Sequence, residues 1–235
     1  MQSRGASEQP IVFVVDDDVS IRDSLALLIR SAGWEPRSFE SARAFLDHPR
    51  SKVPCCLLLD LSMPDLDGLG LQERLAVEHP DLPIIFVTGH VDVPKTVQAM
   101  KAGAVEFLTK PLQGDLLLRA VTDALERSRS ALERDAQLEA LQGRYASLSQ
   151  REQEVMTLVV AGLLNKQVGA ELGISVPTVK AHRGSVMRKM NAASVPELVN
   201  MCARLGLRPA AQGRRGSRPT DDDAARPPAH GRSKQ

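Results

Sequence analysis

Two short apolar runs in the first part of the chain each end abruptly in carboxylates. Residues 11–15 (Ile-Val-Phe-Val-Val) lead into the acidic residues 16–18, and residues 55–59 (Cys-Cys-Leu-Leu-Leu) lead into Asp60. Near-continuous apolar runs of this length are typical of parallel strands that are buried on both faces. The carboxyl ends of parallel strands meet at one edge of a sheet, where α/β proteins hold their ligands. The sequence therefore predicts that these carboxylates converge.

Further strand-like runs lie at 35–39, 83–87 and 105–108, and Pro36 favours an edge position for the first of these. Amphipathic segments with helical spacing separate the strands: one ends at Gly33, and the others cover roughly 41–48, 68–78, 93–102 and 114 onward. Five alternating strand and helix units predict a doubly wound parallel sheet with helices on both faces.

The segment 126–147 is predicted to be a helical linker. Leu118, Leu125 and Leu132 are seven residues apart, but this register breaks afterwards, so a dimeric coiled coil and a solvated connector both stay open.

Residues 148–207 predict a four-helix, all-α module with a helix-turn-helix arrangement. Its predicted N-caps are Ser149, Asn165, Ser175 and Ser194. Residues 1–10 are predicted to be flexible, and the Arg- and Pro-rich residues 208–235 to be disordered.

Charge is distributed unevenly along the chain. Residues 1–112 carry a net charge of −5, whereas residues 148–208 carry +4. An acidic front half suits a metal or cationic partner, and a basic back half suits a polyanion.

The three cysteines, Cys55, Cys56 and Cys202, lack metal-finger spacing and are interpreted as buried, inert thiols in a reducing compartment. No apolar run approaches the roughly 20 residues that cross a bilayer. Residues 1–10 have no apolar signal core. We expect a cytoplasmic protein without membrane contact.

The converging carboxylates predict a metal centre. Three carboxylates in apolar surroundings repel one another unless a hard cation neutralises them. Mg²⁺ fits, with Mn²⁺ as an alternative, and its expected ligands are Asp16, Asp17, Asp60 and the backbone carbonyl of Ser62. Asp60 would then be the nucleophile towards a phosphoryl donor.

Two further residues are predicted to contact the phosphoryl group. Lys110 would pair with its oxygens, and Thr88, which follows an apolar run, would donate its hydroxyl. Lys110 taken alone is better explained as a surface lysine in a turn, but its combination with Asp60, Thr88 and the paired acids favours the site. A cis bond to Pro111 would direct its ammonium inward. Asp18 is interpreted as a helix N-cap, and Asp65 and Asp67 as turn or N-cap residues.

Residues 11–125 resemble the receiver domain of two-component response regulators. The matching motifs are Val15-Asp16-Asp17-Asp18, Leu59-Asp60-Leu61-Ser62-Met63-Pro64, Val87-Thr88-Gly89-His90 and Phe107-Leu108-Thr109-Lys110-Pro111. The resemblance implies a flavodoxin-like fold, Asp60 as phospho-acceptor, metal ligation by Asp16, Asp17 and the Ser62 carbonyl, and a sensor histidine kinase as donor. Phe107 matches the switch aromatic that acts with Thr88, although an ordinary core ring explains it equally well.

Residues 148–207 resemble the LuxR-type helix-turn-helix, and the domain order is that of the NarL/FixJ family. The matching motifs are 148–155, 165–168, 178–182 and 189–190, while 89–94 and 100–104 look closest to the FixJ branch. The resemblance implies contacts to double-stranded promoter DNA. Phosphate contacts fall to Lys166, Lys180 and His182, and base contacts to Lys180 and Arg183. Other outward residues of the recognition helix include Thr178, Ala181 and Arg188.

Three positions put parts of this assignment in doubt. Gly169 stands where the family often has Ala, and it weakens its helix by up to about 1 kcal/mol. Gly184 lies where some relatives carry a base-reading side chain. His182 fits a residue packed on the next helix as well as it fits a phosphate contact.

The sequence thus predicts a transcription regulator that forms a homodimer on phosphorylation, through the face of the fourth helix, fifth strand and fifth helix. Activation, with RNA polymerase as a partner, is favoured by analogy. We expect no turnover enzyme, only an acceptor that assists its own phosphorylation and dephosphorylation. One rival is a Mg²⁺-dependent phosphohydrolase of the haloacid-dehalogenase type, which requires Asp where this chain has Ser62. The other is a DNA-binding protein that uses its receiver only to dimerise.

Overall fold

The computed structural model describes residues 9–49, 51–64, 66–89 and 92–207. The predicted tail and most of the predicted flexible N-terminus lie outside the described residues, as does the turn or N-cap interpretation of Asp65. The chain divides into two compact units, Met1–Ala140 and Leu141–Gln235.

The first unit is built on a five-stranded parallel sheet in the order β2-β1-β3-β4-β5. Its strands are β1 (Ile11–Val15), β2 (Glu35–Phe39), β3 (Cys55–Asp60), β4 (Ile84–Thr88) and β5 (Glu106–Thr109). The doubly wound order confirms the predicted flavodoxin-like fold, and β2 occupies an edge, as Pro36 predicted.

Five helices connect and follow the strands: α1 (Val19–Ser31), α2 (Ala42–Leu46), α3 (Gly68–Glu78), α4 (Val93–Lys101) and α5 (Gly114–Ala146). Asp18 and Asp67 accept hydrogen bonds from the first turns of α1 and α3, which confirms both as N-caps. Across the described parts of the chain, no helix combines the length and the apolar character that crossing a membrane requires.

The sheet is covered on both faces by apolar layers. Cys55 packs against the layer that contains Phe13 and Phe86, whereas Cys56 lies in the layer that contains Val14 and Ile85. This alternation follows from the period of two along a strand. Burial raises the pKa of the Cys56 thiol far above its usual range, so the thiol stays protonated and inert.

Helix α5 continues without a break through the segment predicted as a linker. Leu125 is 3% exposed and belongs to the receiver core. Ser128 and Ala131 are also buried, and the Ser128 hydroxyl accepts the backbone N–H of Cys55 at 3.0 Å. The receiver unit therefore does not end at residue 125, because the next turns of α5 pack against it. Leu125 is buried within this unit and cannot form part of a dimeric seam in this conformation.

The second unit is helical: α6 (Gln150–Val160), α7 (Asn165–Leu172), α8 (Val176–Met190) and α9 (Val195–Arg204). Gly173, with φ of 65°, ends α7 in the left-handed conformation and turns the chain into α8. Ser149, Ser175 and Ser194 are N-caps, as predicted.

The N-cap prediction for Asn165 is wrong. Leu164 occupies the cap position and offers no side-chain acceptor, so Asn165 is the first helical residue. The side chain of Gln167 partly compensates, because it accepts the backbone N–H of Leu164 at 2.8 Å.

Candidate functional site

The carboxyl edge of the sheet brings three carboxylates together. Strands β1 and β3 are adjacent, and Val15 pairs with Leu59, so that Asp16 and Asp60 emerge side by side. Asp16 is 2% exposed and Asp60 is 7% exposed, while Asp17 is open to solvent. One carboxylate oxygen from each lies within 4.8 Å of the others. The predicted convergence is confirmed, and this donor set is consistent with divalent metal binding.

Backbone groups hold one oxygen of each buried carboxylate. The N–H of Asp18 donates to Asp16 Oδ1 at 2.9 Å, and the N–H of Ser62 donates to Asp60 Oδ1 at 3.1 Å. Arg22 donates from one nitrogen to the carbonyls of Asp16 and Asp17, at 2.7 and 2.9 Å. These contacts fix both loops. The role of Arg22 was missed by the sequence analysis, because nothing local marks a helix arginine as a loop anchor.

Lys110 points into the cluster. Its Nζ lies 2.7 Å from Asp16 Oδ2 and 3.1 Å from Asp60 Oδ2, and its side chain is 18% exposed. The Lys110–Pro111 bond is cis. The backbone N–H of Lys110 donates to the Thr88 carbonyl at 2.7 Å. The alternative of a surface lysine in a turn is therefore wrong.

The ionisation of these groups follows from burial and from mutual attraction. Burial raises the pKa of Asp16, and the hydrogen bond from Lys110 offsets only part of that increase. Burial alone would lower the pKa of Lys110, but its bonds to Asp16 and Asp60 outweigh burial and raise it. The lysine is thus a cation at neutral pH. One ammonium does not neutralise three carboxylates, and the excess negative charge favours a further cation.

Thr88 and Phe107 are placed beside this edge. Thr88 ends β4 and is fully buried. The Phe107 ring lies 6.2 Å from the ring of Phe86 and packs, partly buried, against one apolar layer. In this conformation Phe107 is therefore a core ring, and its role as a switch stays a prediction.

Gly68 is a site residue that the sequence analysis missed. A Cβ at this position would lie 2.6 Å from the carbonyl oxygen of Asp60 and 2.9 Å from Cε1 of Phe86. The first turn of α3 therefore rests directly on the end of β3. The contact joins positions eight residues apart through tertiary packing, and no local pattern distinguishes this glycine from an ordinary turn glycine.

In the second unit, the residues predicted to contact DNA fall into two groups. The exposed ones are Lys166, Thr178, Lys180, Ala181 and Arg188. His182 and Arg183 are half-buried, and Arg183 donates to Asn165 Oδ1 at 3.0 Å. In this conformation Arg183 ties α8 to α7 rather than extending freely from the helix.

The two glycines that depart from the family pattern have different environments. A Cβ on Gly184 would have no heavy atom within 4 Å, so α8 presents only backbone to open space at this position. A Cβ on Gly169 would lie 2.8 Å from the carbonyl oxygen of Ile174. The backbone of the turn between α7 and α8 therefore occupies the space that a Cβ at Gly169 would need.

Glu152 is a structural centre of this unit. Its carboxylate accepts the N–H of Ser149 at 2.7 Å, the hydroxyl of Ser185 at 2.5 Å and the ammonium of Lys189 at 2.7 Å. The bonds from Lys189, Ser185 and the Ser149 backbone, in that order, lower the pKa of Glu152 to about 2. Glu152 also completes a capping box with Ser149, the predicted N-cap, whereas its contacts to α8 were not predicted.

Comparison with known proteins agrees with this architecture. The family described as response regulator receiver domain matches residues 12–122, and the luxR family of bacterial regulatory proteins matches residues 146–202. Nodulation protein W of Bradyrhizobium diazoefficiens is 50% identical over 202 residues, covering 86% of this chain and 89% of that protein. The transcriptional regulatory protein FixJ of the same species is 41% identical over 196 residues, covering 83% and 96%.

Solved structures show the same relationship. The response regulator StyR is 44% identical and has a TM-score of 0.75, with coverage of 83% of this chain and 99% of StyR. Full-length FixJ from B. japonicum is 40% identical and has a TM-score of 0.50, with coverage of 86% and 99%. With a receiver domain followed by a LuxR-type DNA-binding domain, the chain belongs to the NarL/FixJ-type response regulators, which implies two-component regulation of transcription with a kinase partner and DNA as the target.

Proposed function

We propose that Asp60 accepts a phosphoryl group from a sensor histidine kinase and that this modification controls promoter binding. The observation that carries the proposal is the convergence of Asp16, Asp17 and Asp60 around the Lys110 ammonium. In the transfer, an Asp60 oxygen forms a bond to phosphorus while the bond from phosphorus to the kinase histidine breaks. The product is an aspartyl phosphate, a mixed anhydride.

Asp16, Asp17, Asp60 and the Ser62 carbonyl would hold Mg²⁺, or Mn²⁺ in its place. The residues fit such an ion, because they supply oxygen donors only and their net charge is negative. When bound, the ion neutralises charge on the phosphoryl oxygens. Ser62 also fixes the orientation of the nucleophile, since its N–H holds one oxygen of Asp60.

Lys110 and Thr88 would stabilise the phosphorylated form. Lys110 already lies 3.1 Å from Asp60, so its ammonium can pair with phosphoryl oxygens after only a small movement. Thr88 ends the neighbouring strand β4, and its hydroxyl would reach another oxygen. A shift of Thr88 would move the chain that leads into α4, with Phe107 following.

The output would be dimerisation through the face of α4, β5 and α5. On α4 this face exposes apolar side chains, with Val93 at 66%, Val97 at 45% and Met100 at 42%. A dimer would present two recognition helices to two half-sites in promoter DNA. Lys166, Lys180 and Arg188 are exposed cations of this unit and would contact the phosphate backbone. Activation of transcription, with RNA polymerase as a partner, completes the proposal.

The rival functions make different predictions. A phosphohydrolase would turn over phosphate esters, whereas we propose that this chain only accepts and slowly loses a phosphoryl group. The Ser62 side chain is exposed, and a serine hydroxyl lacks the acidity of the Asp that such hydrolases use at this position. A receiver that served only as a scaffold would tolerate Asp60→Asn without any change in promoter output.

The test is incubation with acetyl phosphate and Mg²⁺, followed by intact-mass measurement. We expect the wild-type mass to rise by one phosphoryl group, with no rise for Asp60→Asn or after chelation of the metal. Light scattering should then show a shift from monomer to dimer, and fluorescence anisotropy should show tighter binding to promoter DNA. An unchanged wild-type mass would refute the proposal, and phosphorylation without dimerisation would refute its second step.

A further inference from the structure

A polar side chain lies in the interior between α3 and α4. Gln72 is 3% exposed, although Leu71 and Leu75 on the same helix are buried apolar residues. Its Nε2 donates to the backbone carbonyl of Ala99 on α4 at 3.0 Å, and Ala99 is fully buried. A buried amide is costly unless it is hydrogen-bonded. The contact therefore selects one position of α4 relative to α3.

This hydrogen bond is not required to satisfy α4 itself. The Ala99 carbonyl also accepts the N–H of Ala104 at 3.1 Å, and so keeps a partner when the amide of Gln72 is removed. A second polar contact between the helices, Lys95 to Asp67, is 4.0 Å long and about 45% exposed. Exposed pairs of this kind contribute little. Among the contacts between α3 and α4 that the described residues make, the buried hydrogen bond of Gln72 is thus the one best suited to distinguish positions of α4.

The two helices that Gln72 joins have different relationships to the phosphoryl site. Helix α3 is fixed, because Gly68 rests against the carbonyl of Asp60. Helix α4 follows β4 and Thr88, and its exposed face carries Val93 and Val97. A hydrogen bond from the fixed helix α3 to α4 is therefore suited to restrain the position of the exposed apolar face of α4.

We propose that Gln72 is a positioning residue that holds α4 against α3 in the unphosphorylated protein and thereby limits self-association. This role rests on the proposed function, in which α4 responds to the state of Asp60. The hydrogen bond to Ala99 biases the equilibrium of α4 towards the held position. Loss of that bond raises the population of the released position before any phosphoryl group is present.

The test replaces Gln72 by Met, which has nearly the same length and no N–H donor. Hydrogen exchange of the full-length, unphosphorylated protein is followed for the amides of α4 and for those of β1 and β3. We expect α4 exchange to accelerate about fivefold, equivalent to about 1 kcal/mol, with no change in the two strands. The dimer fraction without a phosphoryl donor, measured by light scattering, should rise in parallel.

Two further variants make the result decisive. Lys95→Gln removes the exposed contact between the same helices and should leave α4 exchange unchanged, while Gln72→Leu should repeat the effect of Gln72→Met. Unchanged α4 exchange in both Gln72 variants would overturn the proposal. So would equal acceleration in α4 and the strands, or failure of both variants to fold, since each would show a role in the core alone. A wild-type protein that takes no phosphoryl group would refute the proposed function, yet the exchange comparison would still decide whether Gln72 holds α4.

Discussion

Replacement of Glu152 by Gln tests whether one carboxylate organises the DNA-binding unit. The carboxylate receives the Ser149 N–H, the Ser185 hydroxyl and the Lys189 ammonium. Hydrogen bonds to a charged group contribute about 1.5–3 kcal/mol. Gln keeps one acceptor oxygen and turns an NH₂ group towards the donors. The Lys189 side chain is 39% exposed, so its ammonium can be solvated by water when the ion pair is removed, and this limits the loss of stability. We expect a cost of about 2 kcal/mol, within that range.

The two units can be followed separately because the chain has a single tryptophan. Trp34 lies in the receiver, so its fluorescence reports the first unit, while far-UV circular dichroism reports both. A loss of about 2 kcal/mol lowers the melting temperature of a domain of about 60 residues by roughly 10 °C. We expect one dichroism transition to fall by this amount while the tryptophan transition stays in place. The matched control is Glu154→Gln, because Glu154 pairs with Arg151 at 2.6 Å but is 37% exposed.

The difference in stability of the second unit between wild type and Glu152→Gln should also depend on pH. The pKa of Glu152 is about 2 in the folded protein, below its ordinary value of 4.5. A carboxyl group whose pKa is lower in the folded than in the unfolded protein stabilises the fold, and it does so fully at pH values above its pKa in the unfolded chain. This contribution is lost as the pH falls through the pKa in the folded protein. The difference should therefore be constant above pH 4.5 and shrink between 4.5 and 2. A melting temperature unchanged at pH 7, or an equal loss in Glu154→Gln, would refute the reasoning.

Four other substitutions have defined outcomes. Gly68→Ala should destabilise the receiver by about 2 kcal/mol and slow phosphorylation, because the added Cβ meets the end of β3. The control Gly143→Ala, where a Cβ meets nothing, should instead stabilise α5 by up to about 1 kcal/mol. Equal shifts of the melting temperature in the two variants would contradict this prediction. Leu164→Ser should stabilise the second unit by about 1 kcal/mol, since it supplies the missing cap acceptor, and an unchanged melting temperature would contradict it. Lys180→Ala should weaken DNA binding and reduce its salt dependence by about one phosphate contact; an unaltered salt slope in anisotropy titrations would exclude a phosphate role.

Local signals predicted much of the fold. The apolar runs placed all five strands to within about a residue, and the Ser and Asp caps placed most of the helix starts. The carboxylate cluster was also predictable, because parallel topology alone brings Asp16 and Asp60 to one edge. Lys110 was assigned to that cluster from its combination with Asp60 and Thr88, and its Nζ lies beside Asp16 and Asp60.

The contacts that were missed depend on distant parts of the chain. Glu152 reads as an ordinary capping residue, and only the packing of α8 turns it into the centre of a network. The polar turns of α5 look solvated in sequence, yet Ser128 meets the start of β3, 73 residues away. Asn165 was a plausible cap by residue type, but the chain begins the helix one residue earlier than a cap at 165 would allow. Neither the hydrophobic periodicity of a segment nor the helix and strand propensities of its residues indicate such long-range contacts.

The position of Lys110 has a consequence for the resting state of the protein. Its ammonium bridges two buried carboxylates that would otherwise repel each other. The receiver thus carries an internal counterion, tethered to β5, that a chelator cannot strip away. Under the proposed function, removal of divalent ions should therefore prevent phosphorylation of Asp60 while the receiver stays folded, because Lys110 still pairs with both carboxylates.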